Sequence, residues 1–199
     1  MRNYTEKTAA AVIVRLLRET AKEGRENLKF TWIDKDGRQC ACDGFRAYRL
    51  KTPVPGLPDM PENVQPINLE MVYGGPEKNA VKPLDAPSLE DVKSLLLHDK
   101  EEPDPNRRGC YFFGPGLPVV SIKYLRDMLQ IFPDAVFTWS STVSALLVKS
   151  QYGDGLLLPV RIKSKDGEPV DDSPRPIPGK KKPAAPAFSL AAFAARFAA

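Results

Sequence analysis

The sequence predicts an α+β fold in which helices lie on one face of an antiparallel sheet. Two observations carry this. Residues 5–52 and 110–163 repeat one order, a helix and then β-like runs. Turn signals separate those runs at intervals suited to hairpins. With 199 residues, 42% of them apolar, the chain has enough material for one ordinary domain. The domain is expected over residues 1–163, with a connector at 53–109. Residues 164–199 are expected as a flexible Pro/Lys-rich linker and an Ala/Phe tail.

Over residues 5–23, Ala9, Val12, Ile13, Leu16 and Leu17 recur at helical spacing, Thr5 suits the N-cap and Gly24 stands at the stop. The polar side carries Lys7, Arg15, Arg18 and Lys22 against Glu6, Glu19 and Glu23. LKFTWID follows, with Leu28, Phe30 and Trp32 alternating into an Asp36-Gly37 turn, and then QCACDGFRAYRL: a hairpin. No acidic residue closes this loop at the offset a calcium loop needs, so a β-turn is expected. In the connector, proline and glycine are frequent and interrupt short apolar clusters. Residues 88–98 form a helix in this reading, capped by Ser88 with Asp91 at the third position.

The second unit opens with YFFG and a GPGLP turn, and Ile122, Leu125, Met128 and Leu129 then mark one helical face that Pro133 ends. AVFTWSS, SALLVKS and GLLLPVRIK follow as three strands.

Composition narrows the function classes. Twenty-nine basic against 25 acidic residues give a formal charge of +4, compatible with nucleic-acid contact without demanding it. The cysteines, Cys40, Cys42 and Cys110, are odd in number and form no CxxC, so a reduced cytoplasmic setting is expected, with neither a disulfide framework nor a zinc site. The N-terminal region lacks the features of a secretion signal, and no stretch is long enough to span a bilayer. A small enzyme is the rival class, but its material is poor. His98 is the one histidine, no phosphate-binding glycine loop occurs, and no nucleophile and base pair by spacing. The reading is of a non-enzyme with no catalytic residue, no metal and no cofactor.

Lys123, Tyr124, Leu125, Asp127 and Leu129 on the second helix, followed by Leu158, Pro159, Val160, Arg161 and Ile162, resemble the C-terminal unit of the bacterial DNA sliding clamp, the β subunit of the replicative polymerase. A second segment, Asp43, Gly44, Phe45 and Arg46, resembles a strand end in the middle domain of that family. Cys42 replaces its threonine and Ala47 its leucine. The resemblance covers about 70 residues.

Several expectations follow from it. Helices would meet double-stranded DNA, independent of sequence, through phosphate contacts of Arg15, Arg18, Lys22, Lys123 and Arg126. An apolar pocket built from Gly44, Phe45, Leu50, Leu158, Pro159 and Val160, flanked by Arg46 and Arg161, would capture peptides from a DNA polymerase or other clamp-binding proteins. Leu190 and Phe193 in the tail loosely resemble such a peptide. The family has three domains per chain and six per ring, whereas this chain has room for one. Ring closure would therefore need a homo-oligomer of about six copies, and a shortened clamp suits a mobile element. The alternative is a clamp-fold adaptor or competitor that binds the same peptides without encircling DNA.

Overall fold

A computed structural model describes residues 5–22, 24–162 and 170–179. The tail expectation at Leu190 and Phe193 lies outside the described residues. Helix α1, Glu6–Lys22, starts where the sequence places it, because the Thr5 hydroxyl accepts the Thr8 amide at 3.2 Å. Gly24 follows with φ 72°, the left-handed region that suits a chain leaving a helix.

The first strand is shorter than the alternation implies. Only Trp32–Ile33 forms β1, and Glu26–Leu28 makes a single 3-10 turn. The reason lies at Thr31. Its amide donates to Pro58 O at 2.7 Å and its carbonyl accepts the Met60 amide at 2.8 Å, which diverts the chain before Trp32 to another neighbour. Strands β2, Gln39–Cys42, and β3, Arg46–Leu50, complete the hairpins. In the second unit, β5, Cys110–Phe112, pairs with β6, Val119–Ser121, just before α4, Ile122–Ile131. Strands β7, Val136–Trp139, β8, Leu146–Ser150, and β9, Gly153–Leu157, follow. The last stops at Leu157, so Leu158 to Ile162 lie beyond it.

The connector supplies α2, Leu69–Asn79, β4, Lys82–Leu84, and α3, Leu89–Leu97. Ser88 caps α3 by accepting the Asp91 amide, as the sequence predicts. Helix α2 runs through YGGPEKN, which composition presents as loop. Its start is fixed by the Asn68 side chain, which accepts the Glu70 and Met71 amides. Gly75 immediately before Pro76 removes the Cβ that would crowd the proline ring in helical geometry.

Seven strands form one sheet in the order β1-β2-β3-β9-β8-β7-β4, each neighbouring pair antiparallel. The two units meet in its middle, where β3 and β9 pair from Arg46↔Leu157 to Leu50↔Gly153. Helices α1, α3 and α4 cover one face. There Ile13, Leu16, Val92, Leu95, Leu125 and Met128 bury against Tyr48, Leu50, Phe137, Val148 and Leu157 in one core.

The expectation that the helices occupy one face is corrected by α2, which covers the other. Its Leu69 and Tyr73 pack on Cys40, Cys42, Ala47, Leu147 and Leu156. The physical cause is that Ala41, Tyr48, Leu146 and Val148 put apolar side chains on one face while Cys40, Cys42, Ala47 and Leu147 put them on the other, so each face requires cover. Tyr73 anchors this layer: its hydroxyl lies 3.3 Å from the carbonyls of Ala47 and Asp154, and the Arg49 guanidinium sits 3.5 Å from its ring centroid.

Residues 170–179, expected within the linker, lie against the end of the connector and the β5–β6 hairpin. Arg175 is buried there and Ile177 packs on the main core. Among the described residues no helix is long and apolar enough to cross a membrane.

Candidate functional site

The turn between β2 and β3 sets the site. Asp43 folds its carboxylate back to accept the Phe45 and Arg46 amides, both at 2.8 Å, and Gly44 takes φ 87°, where a side chain is strained. This turn leaves Phe45 outside the sheet, 41% exposed. Its carbonyl then accepts the Leu158 amide at 2.9 Å, which brings the Asp43–Arg46 turn beside the end of β9. Two residues on, the Val160 amide donates to Val119 O at 2.7 Å and Pro159 bridges Val120. Leu158 and Val160 are 40% and 37% exposed, so both keep apolar surface in solvent beside the turn.

Tyr124, on the first turn of α4, stacks on Phe45 with ring centroids 6.2 Å apart and planes at 24°. The Arg25 guanidinium lies over the Phe45 ring, 5.1 Å from its centroid, and donates to Asp43 O at 2.6 Å. Phe45, Tyr124, Lys123, Glu19, Thr20 and Asp43 enclose a small recess of about 180 Å³. Tyr124 and Arg25 are absent from the nominated peptide-binding residues, although Tyr124 belongs to the helix motif that carries the resemblance. The legible signal for Tyr124 is its place off the Ile122, Leu125, Met128 stripe; nothing local marks Arg25.

Two nominated residues belong elsewhere. Leu50 is buried among the helices at the far end of β3, since it shares the face of Tyr48, so it cannot line a surface pocket. Arg46 does not flank the pocket: its side chain is wholly buried. Its Nε donates to Asp43 Oδ2 at 2.9 Å, one terminal nitrogen donates to Asp127 Oδ2, and the other to Glu19 Oε2 at 3.1 Å. The guanidinium also lies 4.3 Å from the Tyr124 centroid. Burial disfavours its charged form, but the surrounding Tyr48, Asp43 and Asp127 oxygens more than offset this and hold its pKa above the ordinary value. Thus the Asp43–Arg46 turn and the Lys123–Asp127 helix segment are tied by one buried ion network. Gly44 and Arg161, also nominated for the pocket, are exposed.

The five nominated DNA-facing cations divide. Arg15 and Arg126 donate to Asp127 Oδ1, at 2.5 Å and 2.7 Å, and so serve the same network. Arg18, Lys22 and Lys123 are exposed and have no ion pair among the described residues. Helix α3 adds Lys93 beside Arg15 and Arg126 around a shallow hollow, a contribution that could not be placed before the fold was known.

Chemistry at sulfur and imidazole is constrained by packing. Cys40 and Cys42 face the α2 side together; burial pushes their pKa values up to about 12 and about 11, so each is a thiol at neutral pH. His98 ends α3, with Nδ1 2.8 Å from Ser94 O.

Compared with known protein families, with curated proteins and with solved structures, the chain matches none of them.

Proposed function

We propose that this protein is a sliding-clamp-like accessory of DNA replication or repair that captures partner peptides on the exposed strip of Phe45, Tyr124, Leu158 and Val160. The observation that carries the reading is the Phe45–Leu158 junction. There two segments far apart in sequence, each resembling a part of the clamp's peptide site, are joined by a backbone hydrogen bond and leave their apolar side chains in solvent. A strip of this kind suits a short peptide with apolar anchors, because a few desolvated side chains carry most of the affinity in such contacts. Of the five nominated cations, Arg18, Lys22 and Lys123 are exposed, with no ion pair among the described residues, and would meet DNA phosphates in this reading.

The test is fluorescence anisotropy with a labelled peptide of the kind bacterial clamps capture. Phe45→Asp and Val160→Asp are expected to weaken binding at least tenfold, with an unchanged circular dichroism spectrum because both side chains are already exposed. Binding that survives both changes refutes the strip.

A specific observation favours the adaptor form of this function over a ring. Copies that extend one another's sheet need two open edges. Here segment 58–60 lies along the start of β1 through its two hydrogen bonds with Thr31, and β4 carries Pro83, which has no N–H, at its centre. Light scattering is expected to report a monomer at micromolar concentration. A hexamer-sized particle retained on circular DNA and lost on linear DNA would reverse that preference in favour of a ring.

A further inference from the structure

The segment 170–179 lies in a polar notch formed by the 3-10 turn Asp99–Glu101, the following loop and the β5–β6 hairpin. Arg175 enters deepest, its side chain only 4% exposed. It donates to Asp99 Oδ1 at 2.7 Å and to Cys110 O at 3.3 Å, with Nε 2.9 Å from Glu102 Oε2. In the opposite sense, Arg107 pairs with Asp171 and donates to Ser173 O at 2.7 Å, and the Gly116 amide donates to Asp172 at 2.8 Å. Asp171 and Arg175 of the segment therefore each meet an opposite charge, Arg107 and the Asp99–Glu102 pair, while Asp172 is held by a backbone amide.

Two features mark the notch as a receptor rather than a mere resting place. First, its key groups also make contacts that do not involve the segment. The Gly109 amide donates to both Asp99 oxygens, at 2.8 and 2.9 Å, and Phe112 underlies the Arg107 guanidinium at 4.6 Å from its centroid. Second, the ligand is stiff by sequence. Pro174, Pro176 and Pro178 fix their own φ and push Ser173, Arg175 and Ile177, which precede them, into extended geometry. Less conformational freedom is lost when such a segment docks on groups already in place.

We infer that this notch is a peptide-binding site for an extended segment with an acidic pair followed by an arginine bracketed by prolines. Residues 170–179 fill it in cis, and a segment of the same chemistry takes it from another chain when the cis ligand is disabled. The site is separate from the apolar strip and does not depend on its function.

The experiment uses the full chain carrying Asp171→Ala and Arg175→Ala, changes confined to the bound segment, and a fluorescein-labelled peptide of sequence VDDSPRPIPG. Anisotropy is expected to show at least tenfold tighter binding to this variant chain than to the wild type, whose notch is occupied. Replacing arginine by alanine in the peptide, which carries no risk to the fold, is expected to weaken binding at least tenfold. Adding Asp99→Asn and Glu102→Gln to the variant chain is expected to do the same. No binding to the variant chain, equal binding to both chains, or indifference to the arginine in the peptide overturns the inference.

Discussion

Asp127→Ala is expected to lower the unfolding free energy by about 3–5 kcal/mol, because it strips the shared carboxylate from three arginines at once. Arg46 is the most affected of them, since its side chain has no exposure and cannot recover water in place of the lost oxygen. Asp43 and Glu19 would remain as its partners, but Glu19 is half exposed and reaches it from α1 at 3.1 Å. The two motifs that define the candidate site would lose their direct link, so a drop in peptide affinity is expected alongside the loss of stability. For a chain of this length the midpoint of thermal unfolding should fall by roughly 10 °C. Urea titration with a circular dichroism readout measures the free energy. A loss below about 1 kcal/mol would show that Arg15, Arg46 and Arg126 find other acceptors, and that the network contributes little. Asp127→Asn is the informative companion, as it keeps the shape and removes the charge.

Gly153→Ala is expected to be comparably damaging for a different reason. At the first residue of β9 the backbone has φ 152°, and a Cβ there would stand 2.2 Å from the Arg49 carbonyl oxygen and 3.1 Å from the Leu50 Cα. Both neighbours are backbone atoms of β3 and cannot rotate away. The backbone conformation alone costs of order 1–3 kcal/mol for a residue with a side chain, and separating the strands would weaken the pairing that unites the two units. Gly116→Ala serves as the control: its φ of 70° is also positive, but nothing lies within 4 Å of the added atom. Its cost should stay near 1–2 kcal/mol. Equal losses at both positions would indicate that backbone conformation, not the clash with β3, governs position 153.

Much of this architecture is legible in the residues. Period-3.6 spacing gives α1 and α4, Pro133 gives the end of α4, Ser88 gives the start of α3, and the runs after residue 134 give β7 and β8, whereas the third run shares only residues 155–157 with β9, which starts inside the expected turn. Helix α2 is hidden because Gly74, Gly75 and Pro76 read locally as a break, whereas burial of Leu69 and Tyr73 on the second sheet face favours the helix. The cover on that face is itself implied by QCAC and ALLV, whose apolar residues do not alternate. In the candidate site, Phe45, Leu158 and Val160 are nominated only through the resemblance, and the fold adds that the Leu158 amide meets the Phe45 carbonyl. Leu50 fails on strand parity, a period of two counted from Tyr48. Arg46 fails because a lone arginine reads as a surface residue, and its burial depends on Asp127, which only the completed fold brings near. Residues 170–179 are obscured by their own composition, since prolines and aspartates that signal a linker here form an ordered contact.

The central pairing of β3 with β9 also has a consequence in time. Tyr48 and Leu50 leave the ribosome about a hundred residues before Gly153 and Gly155, the partners that flank them in the sheet. At roughly 5–20 residues per second, the first unit is exposed with an unpaired strand edge and bare apolar side chains for about 5–20 s before its partner strand is synthesised. Folding of the seven-stranded sheet is therefore governed by its slowest and most distant contact, and the connector must be made before the two units can combine.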